Sequence, residues 1–223
     1  MITQRVDRFR RAIGLVLAGG VVLLGAVLAA DQSTPATGKE PAWEVLFDGK
    51  SLGRWESTKF FKPGAVKVEN GQIILEIGGD LTGITWNGAE LPTTNYEFAL
   101  QAMRVDGSDF FAGVTFPVDD SFCSLILGGW GGTMVGLSSI NGMDASENET
   151  SQTIDFVQNR WYSIRVRVTP DAIQAWIDEK QIINQRLRDN RVDTRLEVDA
   201  SRPLGVASWR TKSALRDIKL RRL

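Results

Sequence analysis

Histidine is absent from this 223-residue chain, and cysteine occurs once. Without histidine, Ser-His-Asp and Cys-His nucleophile systems are excluded, and so are His-ligated zinc sites. Any catalysis has to run on Asp, Glu, Lys, Arg or Tyr. The single Cys123 rules out an intramolecular disulfide, and its apolar setting reads as a small buried hydrophobe. Charge of one sign is lacking as well: 26 basic residues face 27 acidic ones, for a net charge of −1. Arg5, Arg8, Arg10 and Arg11 outweigh Asp7 in the first 30 residues, so the remainder is more acidic still. Nothing in that balance resembles a nucleic-acid-binding footprint.

One apolar run stands out. Residues 12–30, AIGLVLAGGVVLLGAVLAA, follow the basic stretch Arg5 to Arg11. The pattern predicts an export signal with a Val27-x-Ala29 cleavage site. The run is also long enough to span a bilayer as an uncleaved anchor. Under either reading the arginines stay cytoplasmic and the rest is exported, periplasmic or extracellular. No cysteine follows the run, so a lipoprotein anchor is unsupported. The division expected is 1–30 signal peptide or anchor, 31–42 a Pro/Ser/Thr linker, and 43–223 the folded domain.

The folded part reads as strands and turns. Val66 to Glu69 and Gln72 to Ile77 flank Asn70-Gly71, a hairpin signal. Period-two alternation marks Tyr96 to Ala102, and Ile164-Arg-Val166-Arg-Val168 with its arginines outward. A final strand is expected over 214–223. Residues 184–199, NQRLRDNRVDTRLEVD, are highly charged and weakly periodic, and read as a solvated connection. Short strands separated by turn residues predict an all-β sandwich.

The centre of the chain carries the densest functional signal. An apolar strand from Ser121 breaks at Gly128-Gly129-Trp130-Gly131-Gly132, then resumes over 133–140 up to the turn Asn141-Gly142. Asp144, Glu147, Asn148 and Glu149 follow. An indole beside carboxylates and amides suits a polyol: the ring stacks on C–H faces and the polar groups take hydroxyls. The same carboxylates can form an acid/base pair or hold a hard cation such as calcium, or belong to a solvated loop. Asn148-Glu-Thr150 also fits a glycosylation sequon. Trp86 in its turn, Trp209 and Arg210 are further ligand candidates, whereas Trp43, Trp55, Trp161 and Trp176 sit in strand patterns and read as core.

The stretch Trp43-Glu-Val-Leu46-Phe47-Asp48-Gly49-Lys50-Ser51-Leu52-Gly53-Arg54-Trp55 resembles the opening of the 3-keto-disaccharide hydrolase family. The match continues through Val66 to Gly71, Asn95 to Leu100, Asn159 to Val166, and Pro203 to Ala207 with Leu215 to Leu220. The resemblance implies an exported, concanavalin A-like jelly-roll β-sandwich of two antiparallel sheets, with a glycoside ligand on the concave sheet. The family's usual N-S-G-I-x-x-R is replaced by Phe111 to Pro117, its G-Y-E-x-Q by Ser121 to Leu125, and its late Gln and His by Ala207 and Trp209-Arg210. The order of acids from Asp144 to Glu149 also differs from the E-x-D-x-x-E of laminarinase-type glycosidases. The resemblance therefore supplies no catalytic residue. Asp144, Glu147 and Glu149 are the remaining catalytic candidates, with Trp86, Trp130, Asn148, Trp209 and Arg210 for substrate binding. Two classes stay open: a glycan-acting hydrolase, or a non-catalytic carbohydrate-binding, surface-interaction or envelope module.

Overall fold

Alternating apolar side chains need two sheets to bury them, and two sheets are what form. A computed structural model describes residues 41–223; the expected signal or anchor segment and most of the linker lie outside the described residues. Fifteen strands follow in chain order: β1 Glu44–Val45, β2 Trp55–Ser57, β3 Val66–Glu69, β4 Gln72–Leu75, β5 Leu81–Trp86, β6 Tyr96–Asp106, β7 Ala112–Val118 and β8 Ser121–Gly129. Then come β9 Met134–Ser138, β10 Gln152–Thr153, β11 Trp161–Val168, β12 Ala172–Ile177, β13 Lys180–Arg186, β14 Gly205–Trp209 and β15 Lys212–Arg222. A 3-10 helix, Leu196–Ser201, precedes β14.

Sheet I runs β13-β12-β11-β6-β15-β4-β3, with β1 added to β15. Sheet II runs β10-β9-β8-β7-β14-β5-β2. All pairings are antiparallel. Hairpin β3–β4 turns on Asn70 and Gly71, whose φ of 51° and 78° give the paired left-handed residues of a tight two-residue turn.

Phe98, Leu100, Ile164, Val166, Leu215 and Leu220 of sheet I face Val114, Phe116, Leu125, Leu127, Leu137 and Val206 of sheet II in one core. Burying each such side chain contributes about 1.5–3 kcal/mol. Tyr96 completes its burial by donating to the Pro117 carbonyl at 2.6 Å, and Trp55 donates to Leu46 at 2.9 Å. Cys123 is buried in the core as expected, and burial pushes its thiol up to about 12.

The tryptophans correct the sequence reading. Of the four expected in the core only Trp55 is buried; Trp43, Trp161 and Trp176 are half-buried. Trp161 and Trp176 lie in phase with the outward arginines of β11, not with its inward Ile164 and Val166.

The outer face of sheet II is also partly covered. Alternation sends Ile126, Ala207 and Leu81 outward, where they form a second apolar cluster with Phe110, Ala145 and Val198. The 3-10 helix seats on this face against Gly205, where a β-carbon would fall 2.6 Å from the Ser201 carbonyl oxygen. Residues 184–199 therefore do not make a merely solvated connection. Their last part is packed on the sheet through Val198, and just beyond it Thr85 donates to the Ala200 carbonyl at 3.0 Å.

Candidate functional site

The glycine-flanked tryptophan is held from inside the sandwich. Arg104 lies on β6 of sheet I and points inward, where it is buried. Its Nη2 donates to the carbonyls of Gly128 (3.3 Å) and Gly132 (2.7 Å), at the two ends of the loop. The guanidinium carbon sits 5.2 Å from the Phe111 ring centroid and 5.8 Å from that of Phe156. Gly128 is required here on two grounds: its φ is 76°, and a β-carbon would lie 2.2 Å from Arg104 Nη2. Asp109 accepts from Gly131 N–H at 3.2 Å on the other side. The loop so fixed presents Trp130, which is 47% exposed and has φ of 48°.

Trp130 borders a pocket of about 230 Å³ on the outer face of sheet II. Leu81, Phe110, Ile126 and Val198 supply apolar wall, and Trp209 a second indole, its ring 6.4 Å from that of Phe110. The polar lining is Ser124, Ser138, Asp109, Arg195 and Glu197. Ser124 shares a 2.8 Å hydrogen bond with Thr115. The Ser138 hydroxyl is buried and has no hydrogen-bond partner among the described residues. Such a group costs free energy unless something entering the pocket satisfies it.

Arg195 organises the rim. It donates to Asp144 at 2.6 Å and engages both Glu197 oxygens, at 2.9 and 3.3 Å. The hydrogen bond from Arg195 holds the Glu197 carboxyl below its usual range, and that bond raises Arg195 in turn. Glu197 is thus ionised at neutral pH and is not poised as a general acid. Asp109 already accepts from the Phe110 and Gly131 amides. A shallower recess of about 410 Å³ shares Arg195 and Glu197 with the pocket and adds Asp144, Glu147 and Asp193.

The site residues expected from sequence are distributed unevenly. Trp130 and Trp209 come together in the pocket. Asp144 and Glu147 line the neighbouring recess, with Asp144 committed to Arg195 and Ser146. Glu149 turns away toward β13 and accepts from Gln185 at 2.8 Å. Asn148 is buried, donating to the Leu137, Met143 and Asp144 carbonyls and accepting from Thr150; it staples its own loop and is closed to glycan attachment. Trp86 packs edge-on against Trp55 at 5.2 Å and lines neither cavity. Arg210 pairs with Asp80 at 2.6 Å beside Trp209. Among the described residues no group of three or more carboxylates gathers to hold a metal ion.

Sequence reasoning missed Asp109, Phe110, Arg195 and Glu197. Arg195 and Glu197 carried a readable signal, a basic–acidic pair two residues apart just before the apolar Val198.

A family model described as a 3-keto-alpha-glucoside-1,2-lyase-like domain matches residues 42–221, nearly all of the sandwich. The chain belongs to that family. No curated protein matches this 3-keto-alpha-glucoside-1,2-lyase-like domain by sequence. Several solved structures share its fold. The carbohydrate-binding module CBM66 of Bacillus subtilis superposes with a TM-score of 0.51 at 11% identity, over 75% of this chain and 95% of that one. A Crh5 transglycosylase in complex with NAG gives 0.54 at 13% identity, over 81% and 83%. A chain described with the endo-acting O-glycanases that human gut microbiota express to initiate mucin breakdown gives 0.55 at 12%, over 81% and 100%. At these identities the likeness shows the jelly-roll sandwich, and the family match stands apart from it.

Proposed function

We propose that this 3-keto-alpha-glucoside-1,2-lyase-like domain is a carbohydrate-recognition domain that binds a glucoside ring or chain end between Trp130 and Trp209 without cleaving it. The observation that carries the reading is the convergence of two indoles on one pocket lined by the unpartnered Ser138 hydroxyl. Indole faces are electron-rich and attract polarised C–H groups, such as those of a sugar ring. Asp109, Ser124 and the Arg195–Glu197 pair offer hydroxyl partners at the rim. A volume of about 230 Å³ is below the roughly 300–1,000 Å³ usual for small-molecule sites, which favours one ring over an extended chain.

Catalysis has weaker support. An acid/base pair needs carboxyl groups with separately tuned pKa values. Here Glu197 is locked ionised, Asp144 shares the same arginine, and Glu149 faces elsewhere. The basic stretch and apolar run of residues 1–30 support an exported setting for the domain, cleaved or held at the membrane.

The test is a calorimetric titration of the purified protein with methyl glucosides and their 3-keto derivatives, with product release followed in parallel. Saturable binding without product is the expected result. Product formation abolished by Glu197→Gln would make the domain an enzyme; no binding across the panel would remove the carbohydrate reading.

A further inference from the structure

The outer face of sheet I carries a second built feature, remote from the pocket and independent of the reading above. Two rows of side chains run across it. In one, Arg167 on β11 pairs with Glu97 on β6, which pairs with Arg221 on β15. In the next, Trp176 on β12, Arg165, Ala99 and Lys219 follow in register. Glu97 is fully buried although it points away from the core. Its Oε1 accepts from Arg165 and Arg167, each at 2.7 Å, and its Oε2 accepts from Arg221 at 2.7 Å.

Burial alone would raise the Glu97 carboxyl, but the three arginines outweigh it and hold the group below its usual range. One carboxylate thus fixes three cations. The indoles back them: the Arg165 guanidinium lies 3.8 Å from the Trp176 ring centroid, and that of Arg221 4.7 Å from Trp43, with Lys219 Nζ at 4.9 Å from the same ring. Between Trp43 and Trp176 runs a groove of about 700 Å³, floored by Ala99 and Gln101. Arg165 and Arg167 keep side-chain exposures of 27% and 34% there. A guanidinium has five N–H donors, so contact with Glu97 leaves each of these two with donors for a second anion.

We infer that this groove is a binding site for an acidic polysaccharide, its carboxylate or sulfate groups seated on Arg165, Arg167 and Lys219 and its sugar rings along the groove. Charge complementarity selects the occupant. The forks are immobilised by Glu97 and the indoles, which favours planar oxyanions. Glu179 and Asp217 also line the groove. A single chain bearing about one charge per sugar meets such acids with less repulsion than duplex DNA, which carries a charge about every 1.7 Å of its axis. The recess between the two tryptophans likewise suits a strand-like ligand over a flat bilayer.

The test titrates the full protein with galacturonate oligomers, heparin-derived oligomers and neutral dextran at two salt concentrations. An acidic oligomer is expected to bind, dextran not to bind, and the better of the two acidic ligands names the anion. Arg167→Gln should weaken that binding about tenfold. Lys219→Gln, which leaves the Glu97 hydrogen bonds intact, should weaken it several-fold with an unchanged thermal melt. The inference is overturned if neither acidic oligomer binds, if both variants bind like the wild type, if dextran binds equally well, or if duplex DNA or phosphatidylglycerol vesicles, titrated in parallel, bind more tightly than either acidic oligomer.

Discussion

Arg104→Met isolates the link between the interior of the sandwich and its pocket. Methionine fills much of the arginine's volume without its donors. The variant loses charged hydrogen bonds to Gly128 and Gly132, worth about 1.5–3 kcal/mol each, and leaves both carbonyls poorly satisfied. Against this, burying a guanidinium is unfavourable: desolvation lowers the Arg104 pKa, and its Nε has no partner among the described residues. Relief of that penalty returns about 1–3 kcal/mol. The net loss therefore centres on about 2–3 kcal/mol, which for a sandwich of this size lowers Tm by about 4–12 °C. The assay is a calorimetric melt, paired with a glucoside titration, because freeing the loop ends also unfixes Trp130. A double-mutant cycle with Gly128→Ala sharpens it. The alanine β-carbon collides with Arg104 Nη2, so its cost should fall by more than about 0.5 kcal/mol in the Arg104→Met background. A Tm within about 1 °C of wild type together with unchanged glucoside affinity would refute the reasoning.

Two further outcomes are expected. Cys123, its thiol pushed up to about 12 by burial, should resist iodoacetamide at pH 8 in the native protein and react fully in denaturant, as read by mass spectrometry. Glu97→Gln should cost about 2–4 kcal/mol in denaturant unfolding, because three arginines lose their counter-charge; the figure sits at the low end for buried pairs since Arg165 and Arg167 keep partial exposure. The folded-state pKa of Glu97 lies below its ordinary value of 4.5. Its contribution is therefore complete above pH 4.5 and is lost as pH falls through the lowered folded value, so wild type and Glu97→Gln should converge in stability in acid.

The sequence was most legible where one local rule acted alone. Asn70-Gly71 between alternating runs has few structural outcomes, and β3–β4 is the one that forms. The same holds for Ile164 to Val168, whose arginines point outward as read. Trp161 and Trp176 show that lying in a strand does not place a residue in the core: their phase relative to Ile164 and Ile177 puts them on the outer face. Trp130 is readable from its four glycines, but its anchor is not: Arg104 lies 24 residues before Gly128, on the other sheet. The pocket's polar rim was hidden for a similar reason. Residues 184–199 lack periodicity because they pack through irregularly spaced apolar side chains, Leu187, Val192 and Val198, and a web of ion pairs, not through a regular face.

The proposed site depends on two indoles sharing one ligand. The most direct measurement is the affinity of a single methyl glucoside for wild type, Trp130→Ala and Trp209→Ala under identical conditions. Each substitution should weaken binding about tenfold or more, the equivalent of at least roughly 1.4 kcal/mol, with melting temperatures that stay close to wild type. Affinity unchanged in both variants, or lost only where the protein no longer folds, would contradict the account.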